Sequence, residues 1–269
     1  MKKLVAVAAL ALGVLVVAGV AVAGEPSNTA GDHVILQVTV SPPVKSTAAK
    51  PVPVGLVFDS REYTDDGQRT THPTKTNAFR FNGFRFHPNA FAKCLESKLE
   101  KTGPSACPKA SRLGKGYAIA DARPTLAEPV LAQAQVFNGT LDVDTSGKPI
   151  KPAPAVLVYA QTASGIKAYV PLLFKGSDGL ITAERAAPPA GQQPLFTLTA
   201  VHLSLPVKTT TVKRRTVGFM EAPRTCPHGA WRFSEVDTFT EITIPALDVR
   251  TSRDTQACWI GKWEGPTTE

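Results

Sequence analysis

The chain has 269 residues, of which 43% are hydrophobic and 19% are charged, and its formal net charge is +8. Without residues 1–23 the chain has 246 residues (269 minus 23), and the loss of Lys2 and Lys3 lowers the charge to +6 (+8 minus 2). That length buries a substantial core, which excludes a small domain that needs disulfides to fold at all. One large domain or two small ones fit the length.

Residues 1–23 have the features of a secretory signal peptide. A basic start, Lys2-Lys3, precedes an apolar run over 4–23 that ends in a small-residue cleavage motif. The run is also long enough to span a bilayer, so an uncleaved anchor stays open, and a membrane-embedded protein is expected only in that case. No cysteine lies near the cleavage point, which argues against a lipoprotein. We therefore expect a secreted or extracytoplasmic protein with one mature domain over 24–269.

The first strands follow from alternation of apolar and polar residues. Val34, Leu36, Val38 and Val40 fall on one face of a predicted half-buried strand over 33–40. A short second strand is predicted over 54–58. A polar loop over 59–77 follows.

A phenylalanine-rich stretch comes next. Asn82-Gly83 lies between Phe79 and Phe81 on one side and Phe84 and Phe86 on the other. Asn-Gly is the preferred pair of a type I′ turn, so the stretch predicts a hairpin, with a kink or bulge at Gly83 as the alternative.

One short helix is predicted over 89–101. Asn89 is its expected N-cap, and Gly103-Pro104 is expected to end it. The residues expected on its buried face are Phe91, Cys94, Leu95 and Leu99.

The rest of the chain is predicted to consist of strands separated by turns. Apolar runs at regular intervals over 113–186 indicate an antiparallel meander, and turns at such spacing are typical of a sandwich or barrel. A proline-containing loop is predicted over 187–194, and this loop is the expected seam if the domain consists of two subregions. Strands are predicted over 195–205 and 207–219, and a final unit runs from Cys226 to the end. The predicted fold is a mainly β, antiparallel β-sandwich with one short helix.

The four cysteines suggest two disulfides in an oxidising compartment, with three pairings possible. Proximity in the sequence favours Cys94–Cys107 and Cys226–Cys258. A metal-binding or reactive thiol pair fits Cys94 and Cys107 poorly, because CxxC spacing is absent and no histidine lies at ligand spacing.

No catalytic, metal or cofactor motif stands out. The five histidines are not spaced as HxH, HExxH or HxxxH, and no GxSxG is present. A secreted hydrolase would need a site assembled only in three dimensions, and an apolar ligand carrier would need a cavity between the sheets. Both stay open as alternatives. We predict no cofactor and no metal.

The basic residues suggest an anionic partner, although ordinary solubilising charge explains any single one. The densest basic group lies beside the first cysteine pair, and it comprises Lys93, Lys98, Lys101, Lys109, Arg112 and Lys115. A second compact run, Lys213-Arg214-Arg215, is expected on a strand or loop. It lacks the interleaved aromatic residues of single-stranded nucleic-acid binders, so no nucleic-acid partner is predicted.

Two motifs combine cysteines with aromatic and glycine residues. The first comprises Phe84 and Cys94 with Cys107-Pro108, Ser111 and Gly114-Lys115-Gly116. The second is Cys226-Pro227-His228-Gly229-Ala230-Trp231-Arg232-Phe233 with a final Cys258. Both motifs resemble a group of uncharacterised exported proteins of high-GC Gram-positive bacteria. The resemblance implies a β-sandwich with two disulfides and no assigned activity, and it identifies no functional residues.

Together these features predict an exported, disulfide-stabilised structural or binding protein of the cell envelope without catalytic activity. The expected partner is an anionic wall polymer or lipid headgroups, contacted by the basic group around the first cysteine pair.

Overall fold

The computed structural model describes residues 32–41, 51–64, 74–121, 129–143, 148–175, 180–184, 197–223, 230–240 and 247–257. The first eight strands are β1 (Asp32–Ser41), β2 (Val52–Thr64), β3 (Thr74–Phe81), β4 (Arg85–Phe86), β5 (Cys94–Leu95), β6 (Arg112–Asp121), β7 (Val130–Val143) and β8 (Pro149–Thr162). The next eight are β9 (Lys167–Lys175), β10 (Leu180–Glu184), β11 (Thr197–Leu205), β12 (Thr209–Val212), β13 (Arg215–Gly218), β14 (Met220–Ala222), β15 (Ala230–Thr240) and β16 (Leu247–Ala257). One α-helix, α1, spans Glu96–Thr102.

Fourteen of these strands form one sheet. Its order is β16-β15-β3-β10-β9-β8-β7-β6-β11-β2-β14-β4, with β1 paired to β2 and β5 paired to β7. Among the described ladders only β5–β7 is parallel. The prediction of a mainly β, antiparallel fold is therefore confirmed.

The sheet bends over so that strands far apart in its order share one core. The rings of Phe58 on β2 and Phe79 on β3 are 5.1 Å apart in an edge-to-face contact. Strand β1, beside β2, also lies against β16 at the other end of the sheet. Strands from distant positions of one continuous sheet thus enclose the same core.

A smaller second core lies under α1. Leu99 of the helix packs there with Phe137, Leu157 and the disulfide between Cys94 and Cys107. This disulfide prediction is confirmed, with the two Cα atoms 5.0 Å apart. The second predicted disulfide, Cys226–Cys258, lies outside the described residues, as do the predicted signal peptide over 1–23 and the predicted seam over 187–194.

The predicted helix exists but is shorter than expected. It begins at Glu96, with Leu95 rather than Asn89 before its first turn, and Leu95 is 39% exposed instead of buried. The reason is a tertiary contact: the buried side-chain amide of Asn138 donates hydrogen bonds of 2.9 Å to the carbonyl oxygens of Pro88 and Ala92. Between these bonds and Glu96 the chain does not form an α-helix, and Pro88–Ala90 is a short 3-10 helix instead.

The turn at Asn82-Gly83 is present, but it does not form a hairpin. The amide of Phe84 donates to the carbonyl of Phe81 at 3.1 Å, and Gly83 has a φ of 77°. A positive φ at the third residue alone is typical of a type II turn rather than type I′. Strand β3 pairs with β10 and β15, whereas β4 pairs with β14. The kink that the sequence left as the alternative is therefore correct.

Within the described ranges, no helix is both long enough and apolar enough to cross a membrane.

Candidate functional site

All six predicted basic residues lie in described segments, and all except the half-buried Lys93 are exposed. They are placed as Lys93 before β5, Lys98 and Lys101 on α1, Lys109 in a 3-10 turn, and Arg112 and Lys115 on β6.

The disulfide fixes the helical half of this group to the sheet. Cys94 and Cys107 are 1% and 8% exposed, and fully buried Leu99 lies in the same small core. Lys98 and Lys101 therefore extend from a rigid support. The ammonium group of Lys93 donates a 2.6 Å hydrogen bond to the side-chain oxygen of Asn89, so it is already engaged locally.

The helical half also carries acidic groups. Asp142 accepts hydrogen bonds from the amide and hydroxyl of Ser97 at 3.0 and 2.6 Å, and Glu100 is exposed on α1. Glu96 is buried beside Tyr169, and this burial raises the pKa of its carboxyl to about 7, with further rises from Asp142 and Glu100. The charge around α1 is mixed.

The β6 half lies against strand β11. Two glycines allow the close approach, because a Cβ at Gly114 would lie 2.2 Å from the carbonyl oxygen of Ser204, and one at Gly116 would lie 1.8 Å from that of His202. Lys115 lies between these glycines and is exposed. The Gly-Lys-Gly motif thus presents a cation on a tightly packed strand pair.

Arg112 at the start of β6 connects the two halves of the group. Its guanidinium lies 5.8 Å from the centre of the Phe137 ring, at contact distance for a cation–π interaction. Phe137 belongs to the small core that also contains the disulfide.

The structure adds a basic element that sequence reasoning did not connect to this group. The ammonium group of Lys208 donates a hydrogen bond to the backbone carbonyl of Arg112, and burial lowers the pKa of Lys208. Lys208 leads into a two-stranded hairpin, β12–β13, that forms no ladder with the main sheet in the described chain. The amide of buried Phe219 donates to the carbonyl of Lys208 at 2.8 Å and closes the hairpin base.

The tip of this hairpin is the run Lys213-Arg214-Arg215, which the sequence placed on a strand or loop. Lys213 and Arg214 have φ values of 46° and 64°, and a two-residue connection with both φ values positive is a type I′ turn. Such turns prefer Asn-Gly, so the pair Lys213-Arg214 did not predict a turn at this position. The sequence feature that predicts this hairpin is the two-residue gap between two short runs rich in threonine and valine.

The β6 half and the hairpin differ from α1 in charge. Residues 103–120 and 205–220 contain lysine and arginine but no aspartate or glutamate. The contact between Lys208 and Arg112 joins these two acid-free segments.

Two features bear on the alternative of a hydrolase. On the sheet surface, the imidazole Nδ1 of His202 lies 2.6 Å from a carboxylate oxygen of Asp59, and its ring stacks on Tyr117 at 5.0 Å. In the interior, Glu235 and Asp237 are 1% and 0% exposed, so a substrate does not reach them in the folded protein. In the part of the chain that the structure describes, no group of three or more histidine, cysteine, aspartate or glutamate residues is arranged to hold a metal ion.

A small apolar pocket bears on the ligand-carrier alternative. It is lined by core residues that include Leu56, Leu113 and Phe219, and its volume is about 20 Å³. A cavity needs a volume of at least roughly 10–15 Å³ to hold one water molecule, and drug-sized ligands occupy sites of roughly 300 Å³ or more. This pocket does not accommodate such a ligand.

Comparison of the chain with protein-family models, curated proteins and solved structures finds no match. The functional argument therefore depends on the chain's own residues.

Proposed function

We propose that this protein is an exported binding protein of the cell envelope, stabilised by disulfides, which holds an anionic envelope component on its basic surface. That surface comprises the six residues predicted from the sequence, extended by Lys208. The observation that carries the proposal is the contact between Lys208 and Arg112, since it joins two basic segments that contain no acidic residue.

The support of these cations favours binding over mere solubilisation. Lys115 is held by the close β6–β11 pair, and the segment that ends at Arg112 is tied down by the buried disulfide. A cation on a rigid support loses less conformational entropy on binding than one on a loose chain. Phosphate or carboxylate groups of a wall polymer or of lipid headgroups are the chemistry that such a surface recognises.

The β6 half should contribute more than the helical half. Lys98 and Lys101 share α1 with exposed Glu100, and Lys93 is bonded to Asn89. Lys109, Arg112 and Lys115 lie in a segment without acids. Local repulsion of an anion is therefore weaker at the start of β6 than on α1.

One observation favours a second candidate function, a secreted hydrolase. The Asp59 carboxylate orients the His202 imidazole on an accessible face, which is the arrangement that a general base needs. Activity screens of the protein and of a His202→Ala variant against ester, glycoside and phosphoester substrates test this candidate.

Co-sedimentation of the mature protein with purified cell envelopes, at low and at high salt, tests the binding proposal. Pelleting at low salt that is lost at high salt is expected, because ions screen exposed charges. The two matched variants are K109Q/R112Q/K115Q and K93Q/K98Q/K101Q, which remove three charges each. The first should lose more binding than the second. If the wild type does not pellet at either salt, or if both variants pellet like the wild type, the proposal is wrong.

A further inference from the structure

The β12–β13 hairpin has a tip whose residues fit its backbone geometry poorly. A residue with a side chain disfavours the left-handed region that Lys213 and Arg214 both occupy, and only glycine or asparagine adopts it readily. A strained backbone at an exposed position suggests that the side chains there are kept for a reason other than folding. Here the side chains are two cations, followed by a third at Arg215.

The hairpin extends the basic surface in one direction. Its base is fixed, because Phe219 is buried in the main core and the amide of Gly218 donates to the carboxylate of Glu221 at 3.0 Å. Residues 211–216 are all exposed. Lys213 is five positions after Lys208, so the tip lies up to about 16 Å from the backbone of Lys208 at the usual rise of a strand.

We infer that the hairpin tip, Lys208 and the start of β6 form one elongated basic track that binds a flexible linear polymer with repeating phosphate groups. The track comprises Lys109, Arg112, Lys115, Lys208, Lys213, Arg214 and Arg215. This inference rests on the proposed function and names the partner class. A linear polyanion contacts both ends of the track at once, whereas a small anion contacts only one.

Because the track is long, the affinity of the protein for polyphosphate should depend on the length of the polyphosphate chain. The probes are tripolyphosphate and long-chain inorganic polyphosphate, titrated at low salt into the mature protein. Long-chain polyphosphate should bind more tightly than tripolyphosphate at equal phosphate concentration, because it spans both ends. Vesicles of phosphatidylglycerol serve as the third probe, and tighter binding to vesicles than to the long chain would overturn the choice of a polymer.

The variant K213N/R214G separates binding from folding. Asn-Gly is the preferred pair of a type I′ turn, so this variant should melt a few degrees higher than the wild type. Its affinity for long-chain polyphosphate should fall roughly tenfold or more, and the slope of log affinity against log salt should decrease by about 1.4 for two lost phosphate contacts. Its affinity for tripolyphosphate should change little.

Two further variants serve as controls. K151N/K167Q removes two exposed cations from β8 and β9 and should bind like the wild type. Adding Thr211→Lys and Thr216→Arg to the tip variant returns two cations at an exposed pair beside the turn, and it should restore binding.

The outcomes distinguish this inference from the proposal that it extends. If K213N/R214G binds long-chain polyphosphate like the wild type while K109Q/R112Q/K115Q loses envelope binding, the hairpin is not part of the surface and the inference is wrong, but the proposed function stands. If K213N/R214G, K109Q/R112Q/K115Q and K93Q/K98Q/K101Q all bind envelopes like the wild type, both are wrong.

Discussion

Ser60 and Glu235 form a hydrogen-bonded pair across the interior of the folded sheet. The Ser60 hydroxyl lies 2.9 Å from one carboxylate oxygen of Glu235 and 2.7 Å from the other, although 175 residues separate the two in the chain. Both residues are buried, at 6% and 1% exposure. A polar contact therefore fixes strands β2 and β15 relative to each other, within a core that is otherwise largely aromatic and aliphatic.

Replacing Ser60 by alanine should destabilise the protein by about 1–3 kcal/mol, the usual cost when a buried polar group loses a hydrogen-bond partner. The group that loses its partner here is the buried carboxyl of Glu235. Urea unfolding of the variant should show a lower midpoint and an unchanged slope. The control is Ser105→Ala at an exposed site. A midpoint equal to that of the control would show that the contact does not stabilise the fold.

Substitution of Gly116 by alanine should be much more harmful than substitution of Gly165. A Cβ at Gly116 meets the backbone oxygen of His202, whereas nothing lies within 4 Å of a Cβ at Gly165. The first should reach or exceed the upper end of the ~1–3 kcal/mol typical of overpacking. The second should cost about 1 kcal/mol, from its positive φ alone. Thermal unfolding measures both, and equal losses would contradict the packing argument.

Removal of the confirmed disulfide in a Cys94→Ala/Cys107→Ala variant should lower the free energy of unfolding by about 3 kcal/mol. The bridge closes a loop of 13 residues and restricts the unfolded chain. Urea titration under non-reducing conditions gives the value. Amide exchange in α1 should also accelerate, because the helix loses its tie to the following segment. Unchanged protection of α1 would mean that packing of Leu99 alone holds the helix.

Glu96 should make stability depend on pH. Burial raises the pKa of its carboxyl from 4.5 to about 7, so between these values the folded state holds a proton that the unfolded state has released. Stability from this group is therefore fully present below about pH 4.5, is lost as the pH rises from 4.5 to 7, and stays low above pH 7.

The variant Glu96→Gln removes this penalty. It should be more stable than the wild type by about 1–3 kcal/mol at pH 8 and nearly equal to it at pH 4.5. In the folded wild type the Glu96 carboxyl is neutral at pH 4.5 but carries a buried charge at pH 8. Melting curves at both pH values provide the comparison, with Ser105→Ala, an exposed substitution that changes no charge, as the control. A gain that is the same at both pH values would exclude titration of Glu96 as its cause.

Local patterns predicted the strands well where one face is apolar. The four residues of β1 that alternate from Val34 to Val40 are all buried, as expected. Strand β2 is longer than its apolar run because Ser60 and Glu62 continue the buried face. The burial of Ser60 depends on a strand almost at the other end of the chain, and no local pattern encodes that contact.

Tertiary contacts also explain the errors around the phenylalanine-rich stretch. The periodicity from Phe91 to Leu99 is helical, but Asn138 binds the backbone before Cys94 and delays the helix. Asn82-Gly83 predicts a hairpin, yet the strands on either side pair with different partners. In both cases the competing partner comes from a distant part of the chain.

The candidate site was predictable only in part. The basic group around Cys94 and Cys107 is visible as a local density of charge, and its rigidity follows from the disulfide. The link to the hairpin is not, because Lys208 lies 96 residues from Arg112.

The order of strands in the sheet has a consequence for biogenesis. Strand β3 is complete early in the chain, but its neighbour β15 brings Trp231 and Phe233 into the core only from near the C-terminal end. Contacts between residues so far apart in sequence form slowly. During synthesis, the core around Phe81 and Phe84 is therefore completed only after β15 has been made, so most of the chain must be synthesised before these two rings are fully packed.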